Sequence, residues 1–194
     1  MTLCKGRLRV SPGFCLLAAW FAAVNGPEML AVILWAALLH EAGHWAALRA
    51  AGAEVLSLRV GMLGMVMETD SRRLSYGREL VVLLAGPGVN LLCACLLARL
   101  TEGGEMAVGV HLVLGAFNLL PVRPLDGGRA LEVLAVWLLG PDRGERLAGA
   151  VGAAAALLLA AGLMLLCLRT EGSLWLLPAA GGFLAAAGRE SFGK

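Results

Sequence analysis

Ile33-Leu34-Trp35-Ala36-Ala37-Leu38-Leu39-His40-Glu41-Ala42-Gly43-His44-Trp45-Ala46-Ala47-Leu48 decides how the rest of the chain is read. Two imidazoles and a carboxylate interrupt a run that is otherwise apolar, and in lipid such groups need partners. On a helix, positions i and i+4 share a face, so His40 and His44 can point at one metal ion with Glu41 beside them. That spacing suits zinc-dependent hydrolysis, but a pentapeptide is too short to carry the reading alone.

Composition supplies the setting. Hydrophobic residues make up 59% of the 194 positions and charged residues 15%, a balance outside the range of soluble domains of this size. The apolar material comes in blocks separated by short polar punctuation. The expected fold class is therefore an all-α polytopic membrane protein, residues 1–194 forming a single transmembrane domain. The net charge of +2 and the scatter of basic residues beside helix ends give no support to nucleic-acid binding. Cys4, Cys15, Cys93, Cys95 and Cys167 are odd in number and lie in or beside apolar segments, so no disulfide framework is indicated.

Outward from the opening stretch, the pattern predicts about six transmembrane helices. A short first helix runs from Phe14 to Val24, retained because no A-x-A-like cleavage site follows. The second spans Glu28 to Ala53, with the histidines well inside the hydrocarbon layer. Period-two alternation from Glu54 to Thr69, with a turn at Gly64, predicts a small β-hairpin at the membrane surface. Asp70 to Arg73 reads as a charged loop. A third helix runs from Ser75 to Leu100, interrupted at Gly86-Pro87-Gly88, and a fourth from Glu105 to about Leu120. Pro121 to Gly128 reads as a non-helical stretch, which at membrane depth is tolerated only where it is buried in protein or lines a cavity. A short helix over Ala130 to Leu139, a polar loop over Gly140 to Glu145, a fifth span over Leu147 to Leu168 and a sixth over Leu174 to Ala187 complete the chain.

Charge tests this layout. With a cytoplasmic amino terminus, fourteen of the sixteen basic residues fall on or near the inner side, leaving only Arg99 and Arg169 outside. Both termini are then cytoplasmic, and His40, His44 and the Pro121 to Gly128 stretch share the cytoplasmic half of the bilayer.

A catalytic zinc has three protein ligands and an open position, so one ligand is needed beyond His40 and His44. Asp126 is the stronger candidate, because a carboxylate among Pro and Gly inside a membrane bundle is costly without a cation. His111, alone on an apolar helix, reads first as a structural hydrogen-bonding group. Glu41 would be the general base for the water that the metal activates. Asn118 either hydrogen-bonds the substrate or merely caps the helix before Pro121. Asn90 belongs to a stretch whose first reading is a kink for close helix packing.

Three stretches in order carry a resemblance: His40-Glu41-Ala42-Gly43-His44, Ala85-Gly86-Pro87-Gly88-Val89-Asn90 and Asn118-Leu119-Leu120-Pro121-Val122-Arg123-Pro124-Leu125-Asp126-Gly127-Gly128. Together they resemble the site-2 proteases, intramembrane zinc metalloproteases, over roughly residues 10 to 190. The branch most similar is the sporulation protease that processes a pro-sigma factor. The resemblance implies a six-helix core and one Zn2+ per chain held by His40, His44 and Asp126. It also implies Glu41 as base, Asn118 in substrate handling and a single-span membrane protein as substrate, with regulatory membrane proteins as further partners. The carboxy-terminal CBS domain of that branch and the PDZ domains of others have no counterpart in residues 1–194, which bears on substrate, nucleotide control and any place in the forespore outer membrane. The expected location is the bacterial cytoplasmic membrane. Two other classes compete: a metal-ion-binding membrane transporter, which leaves the carboxylate beside His40 unexplained, and an inactive structural relative.

Overall fold

The computed structural model describes residues 8–53, 55–61, 64–69, 74–100, 102–169, 181–182, 184–185 and 187–188. The chain divides into two compact units, Met1–Ala116 and Phe117–Lys194.

In the first unit, α1 (Pro12–Asn25) opens at Ser11, whose hydroxyl accepts a hydrogen bond from the Phe14 amide at 3.2 Å, with Pro12 at the first helical position. Gly26 then serves as both the C-cap of α1 and the N-cap of α2 (Pro27–Ala50). Its φ of 89° lies where an L side chain is strained, so one glycine redirects the chain between the two helices. Beyond α2, β2 (Val55–Gly61) and β3 (Gly64–Thr69) pair antiparallel, with Gly61 opposite Gly64 at the turn. The period-two pattern lies on these two strands. A third strand that sequence reading did not anticipate, β1 (Leu8–Val10), pairs parallel with β2 and gives the order β1-β2-β3.

Helix α3 (Tyr76–Leu100) is continuous and carries Pro87 inside it, so Gly86-Pro87-Gly88 does not interrupt the helix as expected. Proline removes one backbone donor, but small neighbours and packing in a membrane helix tolerate that loss. The buried positions of α2, Ala36, His40, Gly43, His44 and Leu48, repeat at helical spacing along one face. Against that face packs α3. A Cβ built on Gly43 would lie 2.8 Å from the Ala85 carbonyl oxygen, so the two backbones meet where only glycine fits. Helix α4 (Glu105–Asn118) approaches α3 through Gly115, whose Cβ would meet Asn90 and Leu91 at 3.2 Å.

In the second unit, α5 is Asp126–Leu139 and α6 is Pro141–Arg169. Two expectations are corrected here. Asp126 is the first residue of α5 rather than part of a non-helical stretch, because a carboxylate is favoured in a helix's first turn by the backbone dipole. The polar Gly140 to Glu145 segment is not a loop beyond Gly140: α6 begins at Pro141, again with an acidic residue, Asp142, in its first turn. The helices pack through small residues. Gly144, Ala148, Gly152, Ala156 and Ala160 repeat every fourth position on the buried side of α6. A Cβ on Gly144 would lie 2.4 Å from the Val136 backbone nitrogen of α5.

Six helices are described, but the expected six membrane spans are not found among the described residues. Three helices, α2, α3 and α6, are long and apolar enough to cross a bilayer. Helices α1 and α4 have 14 residues each; at ~1.5 Å per residue that is about 21 Å, short of a hydrocarbon layer of about 30 Å. The expected sixth span, Leu174 to Ala187, and the charged loop Asp70 to Arg73 lie largely or wholly outside the described residues.

Bulky apolar side chains point outward in all three long helices. Trp35, Leu38, Val81, Leu92, Leu158 and Leu168 are exposed, while the buried positions of α6 are all Gly and Ala and those of α2 and α3 include Ala36, Gly43, Gly86 and Ala94. Lipid rather than water suits that surface, and the chain is an integral membrane protein. Substituting Gly144 with Leu should therefore force α5 and α6 apart. We expect a loss of about 1–3 kcal/mol, read as a lower unfolding temperature in detergent, whereas Leu158→Ala, at a position 74% exposed, should shift it little.

Candidate metal centre

The two imidazoles of the opening stretch face each other one turn apart on α2. His40 and His44 are both buried, 6% and 9% exposed. Their Nε2 atoms lie 3.1 Å apart and their rings meet at 80° with centroids 4.7 Å apart. Helical spacing puts both Cβ atoms on one face. What turns the rings is α3.

Each Nδ1 has a partner on α3. His44 Nδ1 is 2.7 Å from the Val82 carbonyl oxygen. A carbonyl can only accept, so His44 carries its proton on Nδ1 and presents an Nε2 lone pair. His40 Nδ1 lies 3.4 Å from the side-chain amide of Asn90, which is fully buried. The fit to a divalent cation is good on this evidence. Two imidazole nitrogens each ~2.0–2.1 Å from a tetrahedral zinc sit about 3.3 Å apart, close to the observed Nε2 separation. Outward-facing Nδ1 hydrogen bonds are also the usual way in which metal-binding histidines are oriented.

Gly86 makes room for this arrangement. A Cβ built there would lie 2.2 Å from His44 Nε2 and 2.7 Å from two further ring atoms. The glycine of the second motif thus holds open the space that the His44 ring occupies, beyond helix packing alone. Sequence reading missed this role. It also passed over the Asn90 side chain and the Val82 carbonyl; the only signal was an amide within an apolar helix.

Glu41 is half-buried, next to His40 on α2. Asp126 is half-buried at the start of α5 in the second unit, and Asn118 is half-buried at the last position of α4. Backbone geometry around Asp126 depends on the two glycines that follow it. A Cβ on Gly127 would lie 2.2 Å from the Leu119 carbonyl oxygen, and one on Gly128 would lie 2.5 Å from the Val122 carbonyl carbon. The segment before α5 is folded onto its first turn and needs both. Val122 anchors that segment in an apolar cluster with Ala156 and Ala187, and Arg123 forms an ion pair with Glu132 on α5. The Arg123–Pro124 peptide is cis.

His111 does not join the imidazole pair. It is buried on α4 and lines an apolar cavity of about 480 Å3 with Trp35, Leu39, Cys93 and Leu97. Its Nδ1 has no hydrogen-bond partner, so the structural hydrogen bond expected of it is not found at that atom.

Gly86→Ala supplies a direct test of the packed geometry. The added methyl must displace the His44 ring, and we expect zinc affinity to fall at least tenfold, measured by chelator competition on the purified protein. Gly88→Ala, with nothing within 4 Å of its Cβ, should leave that affinity unchanged.

Comparison with known proteins extends these observations. No family model matches the chain. It is 30% identical over 157 residues to Rip3 of Mycobacterium tuberculosis, whose provisional name is zinc metalloprotease; the match covers 74% of this chain and 38% of that protein. A Synechocystis protein with the same provisional name is 30% identical over 135 residues, covering 63% of this chain and 35% of the relative. A zinc metalloprotease of Methanocaldococcus jannaschii is 26% identical over 146 residues, covering 66% of this chain and 42% of the relative. The chain thus spans well under half the length of these curated relatives. Among solved structures, the site-2 protease from Methanocaldococcus jannaschii matches with a TM-score of 0.67 at 22% identity, over 98% of this chain and 93% of that one, and so shares its fold. The chain thus has the fold of a solved site-2 protease and is similar in sequence to part of several zinc metalloproteases.

Proposed function

We propose that this chain is an intramembrane zinc metalloprotease that hydrolyses a peptide bond in or near the transmembrane segment of a membrane-tethered protein. The observation that carries the reading is the convergence of His40 and His44 Nε2 at 3.1 Å inside an apolar bundle. In this reading His40, His44 and Asp126 hold one zinc ion. A zinc ion there would supply Lewis acidity to the scissile carbonyl and would acidify water at neutral pH.

The protein's own groups do the rest. The Glu41 carboxylate takes a proton from the attacking water and returns it to the nitrogen of the departing amine, so one group serves as base and then as acid. Asn118, at the end of α4, offers its amide N–H to the substrate carbonyl oxygen. Asp126 is suited to a ligand role by its half-buried position at the start of α5, where the two glycines fix the local backbone.

A peptide bond within a helix is shielded by its own hydrogen bonds, so the substrate must adopt an extended form before cleavage. Strand β3 lies at one edge of the sheet, and an extended segment can add to that edge. The distribution of basic residues supports cytoplasmic termini and release of the product on that side. Within the substrate class, a membrane-tethered transcription regulator of the sigma-factor kind is the proposal that follows from the motif resemblance.

Glu41→Gln should abolish cleavage of a co-expressed single-span substrate while leaving zinc content at one per chain, measured by metal analysis of the purified protein. Cleavage by that variant would reject the assignment. A transporter would instead carry metal across liposomes, and the Glu41→Gln variant would not separate flux from binding. For the sheet edge, proline placed singly at Met65, Val66 and Met67 should reduce cleavage in alternation, because successive N–H groups point to β2 and to the free edge. Uniform tolerance at all three positions, in folded protein, would count against strand addition.

A further inference from the structure

The geometry points to Asn90 as the positioning residue that decides whether His40 can bind a metal. The inference rests on the metal reading above and adds to it a specific side chain outside the ligand set. His40 can ligate through Nε2 only if its proton sits on Nδ1, and a buried Nδ1–H needs an acceptor. For His44 that acceptor is the Val82 carbonyl, which has no alternative role. For His40 the group at Nδ1 is a carboxamide, which can play either part.

The two orientations of that amide have opposite consequences. With Asn90 Nδ2 donating to His40 Nδ1 at 3.4 Å, as the side chain is placed, the proton of His40 must sit on Nε2, from which it can donate to His44 Nε2 at 3.1 Å. In that orientation Asn90 Oδ1 is buried with no hydrogen-bond partner. Turning the amide by half a revolution exchanges the two ends. Oδ1 then accepts from His40 Nδ1–H, and both Nε2 lone pairs converge. The two arrangements differ only in tautomer, the His40 proton standing on Nε2 in one and on Nδ1 in the other.

Two features restrict who else could perform this task. Asn90 is 0% exposed, so bulk water does not compete for its amide. Gly115 of α4 packs against its base, a Cβ there lying 3.2 Å from Asn90 Cβ, so α4 covers the residue from that side. Asn90 therefore holds an imidazole in one tautomer without touching the metal or the substrate.

The experiment uses the full chain in detergent, with zinc dissociation constants from chelator competition and the visible absorption of bound Co2+ as a second readout. Asn90→Leu, which keeps the number and branching of the side-chain heavy atoms and removes the acceptor, should weaken zinc binding about 10- to 100-fold and alter the Co2+ bands. Asn90→Asp, which can only accept, should bind zinc within about threefold of the unsubstituted chain, the scale of ordinary context effects on a retained hydrogen bond. Wild-type affinity in Asn90→Leu would overturn the inference, and so would equal weakening in Asn90→Leu and Asn90→Asp, which marks a packing role. His40→Ala separates the two levels. If that substitution leaves zinc binding intact, the metal reading falls and this inference with it; if it removes binding while Asn90→Leu does not, only the role of Asn90 falls.

Discussion

An imidazole nitrogen left unpaired in hydrocarbon is costly, and the arrangement around His40 and His44 follows from that cost. His40 and His44 lie inside an apolar bundle, where an unpaired polar nitrogen is costly. Helix α3 answers with a backbone carbonyl at Val82 and a side-chain amide at Asn90, two turns apart. For these groups to reach the rings, α2 and α3 must approach closely. Gly43 and Gly86 permit this, one where backbone meets backbone and the other where backbone meets ring. The motif on α2 and the motif on α3 are thus two halves of one packing requirement, although forty residues lie between them in sequence.

The second unit obeys a related rule with different chemistry. The segment from Leu119 to Leu125 is irregular backbone between apolar helices, and such backbone needs its polar groups turned inward. Short-range hydrogen bonds do part of this: the Val122 amide to the Leu120 carbonyl, the Leu125 amide to the Val122 carbonyl and the Arg129 amide to the Leu125 carbonyl. Gly127 and Gly128 let α5 start directly beneath those carbonyls. Asp126 then sits where helix geometry, rather than loop freedom, sets its direction.

Much of this was legible in the residues. The His40-Glu41-Ala42-Gly43-His44 spacing fixes which side chains share a face whatever surrounds the helix, and apolar length identifies α2, α3 and α6 as long helices. The alternation from Val55 to Thr69 falls on β2 and β3 because strand pairing expresses a local period. Other features were illegible for physical reasons. Proline is a helix breaker in water, so Gly86-Pro87-Gly88 reads as an interruption, yet α3 passes through it because packing tolerates the missing donor. Asp126 and Pro141 read as loop residues because acidic residues and proline are common in loops, but both are also favoured in the first turn of a helix. The pairing of β1 with β2 joins residues fifty positions apart, and no local pattern announces it. Nor could composition reveal that Asn90 lies beside His40, since that depends on the rotation of α2 against α3.

The ladder of small residues on α6, and its counterparts at Gly43, Gly86 and Gly115, reverses the usual relation between side-chain size and constraint. In a water-soluble core the bulky residues are the ones that resist replacement. Here the bulky residues face lipid, where one apolar side chain serves nearly as well as another, while the positions with almost no side chain carry the interfaces. Drift in descendants of this sequence should accordingly be fast among its leucines and slow among its glycines and alanines, so a substitution matrix built on soluble proteins would misjudge which changes this chain can accept.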